Sequence, residues 1–318
     1  MNQDKTISVM VQMIQQETAN VKRFTLVPEN RNEPLPRFSG GSHITTYIEN
    51  GHQTIARSYS LTNPPGQRDS YQIAIRLHDF SQGGSRFWHE KMKEGDTLRI
   101  SHPRNHFPLS FKAKNHVFYA AGIGITPFLS MMAELKRDGL PFELHYAAKS
   151  KETCPFYSYL VETHSEETHF YFSEEKRLTD SSLWEHRVGT HVYFCGPPSF
   201  IEDFTNSALT IGYPQSTIHY ERFTPPKTLA RKHFKADLSS GPAVSVSEEE
   251  TLLDALLKAG IKAPYSCRVG RCGTCELNVF EGEVDHGDSF LSEKERSEHR
   301  SILTCVSRAK TERIKIDL

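Results

Sequence analysis

Cys267-Arg-Val-Gly-Arg-Cys272-Gly-Thr-Cys275, followed thirty residues later by Cys305, is the stretch on which the reading of this chain turns. Its spacing is C-x4-C-x2-C with a distant fourth cysteine, the plant-type 2Fe–2S pattern. Two irons bridged by sulfides need four thiolates, three from a tightly curled loop and one delivered across the cluster from a separate segment. Small residues permit the curl, and Ser266, Gly270, Gly273 and Thr274 are interspersed with the ligands. Two other readings stay open on spacing alone. Four cysteines also bind zinc tetrahedrally, although zinc ribbons use paired C-x2-C knuckles, and buried free thiols are the third alternative.

Bulk properties narrow the setting. At 318 residues the chain exceeds what one hydrophobic core supports, which predicts two or three domains. Lys and Arg number 38 against 39 Asp and Glu, so the basic excess that phosphate backbones demand is missing and no nucleic-acid partner is expected. The opening MNQDKTISVM lacks a charged region followed by an apolar one, which predicts a cytoplasmic protein. The longest uncharged stretch, Val117 to Ala133, is broken by Gly122, Gly124, Thr126 and Pro127 and is too short to span a bilayer. Of six cysteines, four crowd the last 52 residues, which favours metal or redox chemistry over a disulfide framework.

Upstream of the cysteines the periodicity changes twice. From residue 7 to about 111, short strands such as Ile7 to Met13, Gln72 to Leu77 and Thr97 to Ser101 alternate with turn-rich segments, and a small antiparallel β-barrel is their natural closure. From 112 to 223, strands beginning near Val117, Phe142, His169, His191 and Thr217 alternate with helical stripes, including Phe128, Leu129, Met132 and Leu135, which is an α/β parallel-sheet pattern. Two prolines and clustered charges mark 224–235 as a linker. Residues 236–318 form an α+β unit with one short helix, Leu252 to Ala259, which Gly260 ends. That unit carries 11 Lys and Arg against 15 Asp and Glu, net −4, leaving +3 on the preceding residues. The fold class is therefore multidomain.

Three turns in the first two segments have binding chemistry. Gly122-Ile-Gly124-Ile-Thr126-Pro127 follows a strand and opens a helix, where N–H groups and the helix dipole meet a pyrophosphate. It departs from the full dinucleotide fingerprint: Pro127 replaces the third glycine, and the second strand ends in Ala148-Lys149-Ser150 without an acid for the ribose. A lysine there leaves NADPH open beside NADH. Cys195-Gly196-Pro197-Pro198 turns at the carboxyl end of a later strand, the usual ligand crevice, where a thiol can face a nicotinamide. Arg57-Ser58-Tyr59-Ser60 offers a guanidinium, an aromatic ring and hydroxyls on one strand, and Gly83-Gly84-Ser85 a second N–H-rich turn; alone, each also reads as ordinary surface.

In this order the motifs resemble the phthalate dioxygenase reductase family, together with Pro103-Arg-Asn-His-Phe-Pro-Leu and His219-Tyr-Glu221-Arg-Phe223, over nearly the whole chain. The resemblance implies a flavin barrel, a pyridine-nucleotide domain and a C-terminal ferredoxin domain of β-grasp type. It implies FMN rather than FAD, with Arg57 and the Gly83, Gly84, Ser85 turn on the phosphate, Tyr59 and Ser60 by the isoalloxazine, and Ser58 and Ala74 as further cofactor-binding residues. It implies NADH held by Gly122, Gly124, Thr126, Pro127, Cys195, Gly196 and Pro197, with Glu221 and Phe223 near the flavin. Ser60, Cys195 and Glu221 are then the catalytic candidates, and Cys267, Cys272, Cys275 and Cys305 the cluster ligands. The expected activity is electron transfer from NADH to a separate Rieske-type terminal oxygenase acting on a small aromatic or a quaternary amine such as carnitine, by a monomeric reductase. A redox sensor built from the same domains is the alternative. A hydrolase or zinc protease is not: no G-x-S-x-G or H-E-x-x-H occurs, and His89-Glu90 lacks its second histidine.

Overall fold

The computed structural model describes residues 6–50, 53–78, 84–224 and 232–318. It divides into two compact units, Met1–Glu221 and Arg222–Leu318. Gly83 and the middle of the expected linker, 225–231, lie outside the described residues.

The first unit begins with strands β1 (Ile7–Thr18), β2 (Val21–Pro28), β3 (His43–Asn50), β4 (Gln53–Ser60), β5 (Tyr71–Arg76) and β6 (Thr97–Ile100), with helix α1 (Gly84–Glu90) between β5 and β6. Alternation sets their inner face: Val9 and Val11 on β1, and Tyr71, Ile73 and Ile75 on β5, are buried. The sheet order is β4-β3-β6-β1-β2-β5, and all pairings are antiparallel. The outer strands β4 and β5 come alongside each other, giving the expected barrel. Trp88 of α1 fills it, meeting Phe24 edge-on with ring centroids 4.7 Å apart.

The parallel sheet follows, with β7 (Asn115–Ala121), α2 (Thr126–Arg137), β8 (Phe142–Ala148), α3 (Tyr157–Thr163), β9 (Thr168–Phe172), β10 (Thr190–Cys195), α4 (Pro198–Ile211) and β11 (Ile218–Glu221). All pairings are parallel, in the order β11-β10-β7-β8-β9. The chain builds β7 to β9 outward on one side and then returns to lay β10 on the other. Strand order thus reverses between β7 and β10, which opens a crevice at their carboxyl ends. Apolar runs suit strands covered on both faces: Phe118 packs with Phe128 and Met132, while Val192 and Phe194 pack with Ile201 and Phe204. The two sheets are joined by the Gly41 N–H donating to Ser130 Oγ at 3.1 Å and the Ser110 N–H donating to the Tyr193 hydroxyl at 2.8 Å.

The second unit holds β12 (Phe234–Leu238), β13 (Val244–Val246), α5 (Leu252–Lys258), β14 (Glu276–Glu281), β15 (Val284–Asp285), α6 (Glu293–Glu298), β16 (Ser301–Leu303), β17 (Arg308–Ala309) and β18 (Arg313–Ile316). Its main sheet runs β13-β12-β18-β14-β16, with β12 and β18 parallel at the centre, and β15 pairs with β17. Leu252, Leu253 and Leu256 bury one stripe of α5 against Phe234, Ala236, Val246 and Ile314. This is the α+β grasp expected. Among the described residues no helix is long and apolar enough to cross a membrane.

Candidate functional site

In the second unit the four cysteines meet. Cys267 and Cys272 are hydrogen-bonded to each other, as are Cys275 and Cys305, and the two pairs interact electrostatically. The hydrogen bond from the Cys267 thiol lowers Cys272, and that from Cys305 lowers Cys275, so in each pair one member is shifted toward the thiolate. Two pairs suit two bridged irons.

The loop is shaped for close approach. Gly273 has φ +72°, and a Cβ there would lie 2.3 Å from the Phe290 ring; one on Gly270 would lie 2.5 Å from Val306 and 2.9 Å from the Asp288 backbone. Ser266 Oγ is buried without a hydrogen-bond partner beside the first ligand, as a donor reserved for a cluster sulfide would be. The donor set, its pairing and this orphaned hydroxyl fit a 2Fe–2S cluster.

Asp288 escaped the sequence reading. Its fully buried carboxylate accepts from the Leu291 N–H at 3.0 Å, the Phe290 N–H at 3.2 Å and Ser307 Oγ at 3.2 Å, while the Ser289 N–H donates to the Gly270 carbonyl at 2.9 Å. This strap fastens 288–291 across the cysteine loop. Its signal was legible, since an Asp bonding the backbone two and three residues on is an Asx-type turn.

In the first unit, the two glycine turns meet at the crevice between β7 and β10. A Cβ on Gly124 would sit 2.1 Å from the Cys195 carbonyl oxygen, and one on Gly196 would sit 2.9 Å from Ala121 Cβ. Only glycines let the turns interlock. Residues Gly122–Ile125 form a 3-10 turn running into α2, Thr126 Oγ1 donates to the Ile123 carbonyl at 3.0 Å, and Pro127 occupies the first helical turn. Pro198 opens α4 in the same way, with Pro197 as its N-cap. Cys195 is fully buried, and Glu221 lies directly opposite it on the adjoining strand. That pairing was invisible in the sequence because it depends on parallel register. Phe223 falls in the other unit and is 40% exposed.

On β4, Arg57, Ser58, Tyr59 and Ser60 lie opposite Thr46, Thr45, Ile44 and His43. Gly84, at the start of α1, rests on Arg57: a Cβ there would lie 3.1 Å from its Cγ and 3.2 Å from its Nε. The arginine and Gly84, separate in sequence, thus lie against each other, which brings a cation to the start of α1 of the kind a phosphate needs. Ser58 Oγ lies 3.1 Å from Thr45 Oγ1, Ser60 is buried, and Ser85 Oγ accepts from the His78 N–H at 3.2 Å. Burial pushes the Tyr59 phenol up, so it remains a neutral donor, and its ring packs edge-on to Trp88. Ala74 is buried on β5 within the cluster that includes Ile125, so this small residue lies where the barrel meets the nucleotide turn.

Residues 237–310 match the family described as 2Fe-2S iron-sulfur cluster binding domain. The whole chain is 39% identical over 322 residues to the carnitine monooxygenase reductase subunit of Escherichia coli (strain K12), covering 100% of both. It is 39% identical to the heme-dependent oxidative N-demethylase beta subunit of Ectopseudomonas mendocina (strain ymp), covering 98% of this chain and 99% of that one. Among solved structures it is similar to phthalate dioxygenase reductase, described as a modular structure for electron transfer from pyridine nucleotides to 2Fe-2S. The TM-score is 0.81 at 31% identity, covering 99% of this chain and 98% of that one.

Proposed function

The chain belongs to the phthalate dioxygenase reductase family of flavin iron–sulfur oxidoreductases, and from that premise we propose that it is the reductase component that passes electrons from NADH, through FMN and a 2Fe–2S cluster, to a Rieske-type terminal oxygenase. The observation that carries this reading is the pairing of four cysteine sulfurs in a unit that follows, on the same chain, an arginine set against the start of α1 and an interlocked nucleotide turn. When bound, the flavin supplies the conversion of a two-electron donor into single electrons, which the cluster relays.

The chain's own residues then bind and orient. Arg57, Ser58 and the Gly83, Gly84, Ser85 turn hold the FMN phosphate; one guanidinium and a short N–H-rich turn suit a monophosphate, which favours FMN over FAD. Tyr59 and Ser60 donate to the isoalloxazine and Ala74 leaves room beside it. Gly122, Gly124, Thr126 and Pro127 present backbone N–H groups to the NADH pyrophosphate, while Cys195, Gly196 and Pro197 border the nicotinamide. Glu221, held beside Cys195, completes the flavin side. Cys267, Cys272, Cys275 and Cys305 hold the irons, with Ser266 donating to the cluster. No side chain need act as acid or base.

We assign residues 1–111 to the flavin barrel, 112–223 to the nucleotide domain, 224–235 to the linker and 236–318 to the ferredoxin domain, acting as a monomer in the cytoplasm, where free thiols persist. The resemblance to a carnitine monooxygenase reductase subunit favours a quaternary amine as the substrate of the partner, with a small aromatic as the second reading. The test is reconstitution with purified oxygenase components, following substrate-dependent NADH consumption. Coupling to a Rieske-type component supports the proposal; coupling only to a heme-containing one, or none with steady turnover absent, refutes it. An absorption spectrum of the purified protein without flavin overturns the reading outright.

A further inference from the structure

Tyr119, His145 and His169 stand side by side on β7, β8 and β9 as register partners of the parallel sheet. Glu143 precedes His145 by two residues on β8, so its side chain leaves the same face. His186 reaches that face from just beyond the 3-10 turn Asp180–Glu185. Three imidazoles thereby crowd one carboxylate. His145 Nε2 lies 2.9 Å and His169 Nε2 3.0 Å from Glu143 Oε1, and His186 Nδ1 lies 3.9 Å from Oε2. Glu143 and His169 are each the second residue of their strand, whereas the interlocked glycine turns lie at the carboxyl ends of β7 and β10. The cluster therefore uses none of the residues assigned to flavin, nucleotide or iron.

The outer nitrogens are already engaged. The Tyr171 hydroxyl lies 3.0 Å from His145 Nδ1 and the Tyr119 hydroxyl 2.7 Å from His186 Nε2. Partners of this kind fix the ring orientation of metal-ligating histidines and direct the other nitrogen inward. At the centre, His145 is 3% exposed and its Nε2 is buried without a hydrogen-bond partner, although Glu143 is within reach. With Nδ1–H donating to Tyr171, Nε2 turns a lone pair toward a carboxylate, and two acceptors so close call for a cation between them. One proton serves one such pair; three imidazoles and a carboxylate make the four-donor set of a zinc ion. Among the described residues no three such groups already stand in a closed metal geometry. His169, 50% exposed on the edge strand β9, can turn about its own side-chain bonds to close the set. We propose that Glu143, His145, His169 and His186 bind one zinc ion, tying β8, β9 and the segment at His186 together.

The probe is zinc chloride, titrated by calorimetry into the tag-free, full-length holoprotein. One zinc per chain should bind, with a Kd in the micromolar range or tighter. Glu143→Gln and His169→Gln, both at partly exposed positions, should each weaken binding at least about tenfold. His233→Gln, which removes an exposed imidazole outside the cluster, should leave the affinity unchanged. Flavin and cluster absorption, steady through each titration, would show that the variants are folded and that zinc has not displaced iron. Absence of zinc uptake by the wild type, or an affinity that Glu143→Gln and His169→Gln move less than twofold, overturns the proposal. A loss matched by His233→Gln overturns it as adventitious uptake by surface histidines, and uptake that comes only with bleaching of the cluster overturns it as capture by thiolates.

Discussion

A single atom decides whether the nucleotide turn can exist. The methyl group of Gly124→Ala would meet the Cys195 carbonyl oxygen at 2.1 Å, and that oxygen is backbone at the end of a buried strand, so it cannot swing aside. Overpacking of this kind costs about 1–3 kcal/mol. The expected outcome is a lower Tm and a KM for NADH raised at least tenfold, with the cluster spectrum intact; an unchanged KM would mean that the turn does not touch the nucleotide. Cys272→Ser acts at the other end. It should abolish transfer to a protein acceptor while leaving NADH-dependent bleaching of the flavin, as two separate assays would show. The glycines and cysteines were legible because a fingerprint is local: their spacing is their chemistry. The collision partner of Gly124 was not, because Cys195 lies 71 positions away and meets it only through sheet order. His43 was equally hidden. Burial, then His106 and Arg104, hold its imidazole down to about 4. A histidine whose folded pKa is depressed takes up protons in the unfolded chain first, so stability is lost as pH falls from about 6.5 toward 4, on the order of 3 kcal/mol for this one group. Thermal melts at pH 7.5 and 4 should show that loss, and His43→Gln should flatten the slope.

Elements transmit these local constraints. Helix α5 begins at Thr251, whose hydroxyl accepts from the Asp254 N–H at 3.0 Å, and Asp254 in turn holds Arg268 at 2.9 Å. Arg268 has the left-handed φ of +57° and lies over the Tyr265 ring, immediately beside the first cysteine. The helix start is thereby coupled to the cluster loop. Thr251→Ala should cost about 1 kcal/mol through the lost cap. Asp254→Asn should cost less, since a partly exposed ion pair contributes about 0–1 kcal/mol. Both should speed bleaching of the cluster by a chelator; equal bleaching rates in wild type and variants would show that the loop does not depend on α5. The helix itself was readable from its leucine stripe and Gly260, and the strands from their alternation, because each depends on neighbours in sequence. The coupling was not, since it needs the helix and the loop to be folded side by side.

For the whole molecule the informative quantity is the division of charge. The last 83 residues carry −4 and the first 235 carry +3, although the sum is only −1. The acidic segment is the one that holds the paired cysteines, so the surface that must meet an electron acceptor bears the charge that would steer a basic partner. Steering between exposed charges weakens as salt shortens the screening length from about 30 Å at about 10 mM to about 8 Å at about 150 mM. Transfer to the reconstituted partner should therefore slow several-fold across that range, through the apparent second-order rate constant and not through kcat. Reduction of the flavin by NADH in the absence of partner, followed by stopped flow, serves as the internal control: no partner protein has to dock, and it should change far less. A partner rate indifferent to salt would assign docking to apolar contact instead, with the charge division left as a contribution to solubility.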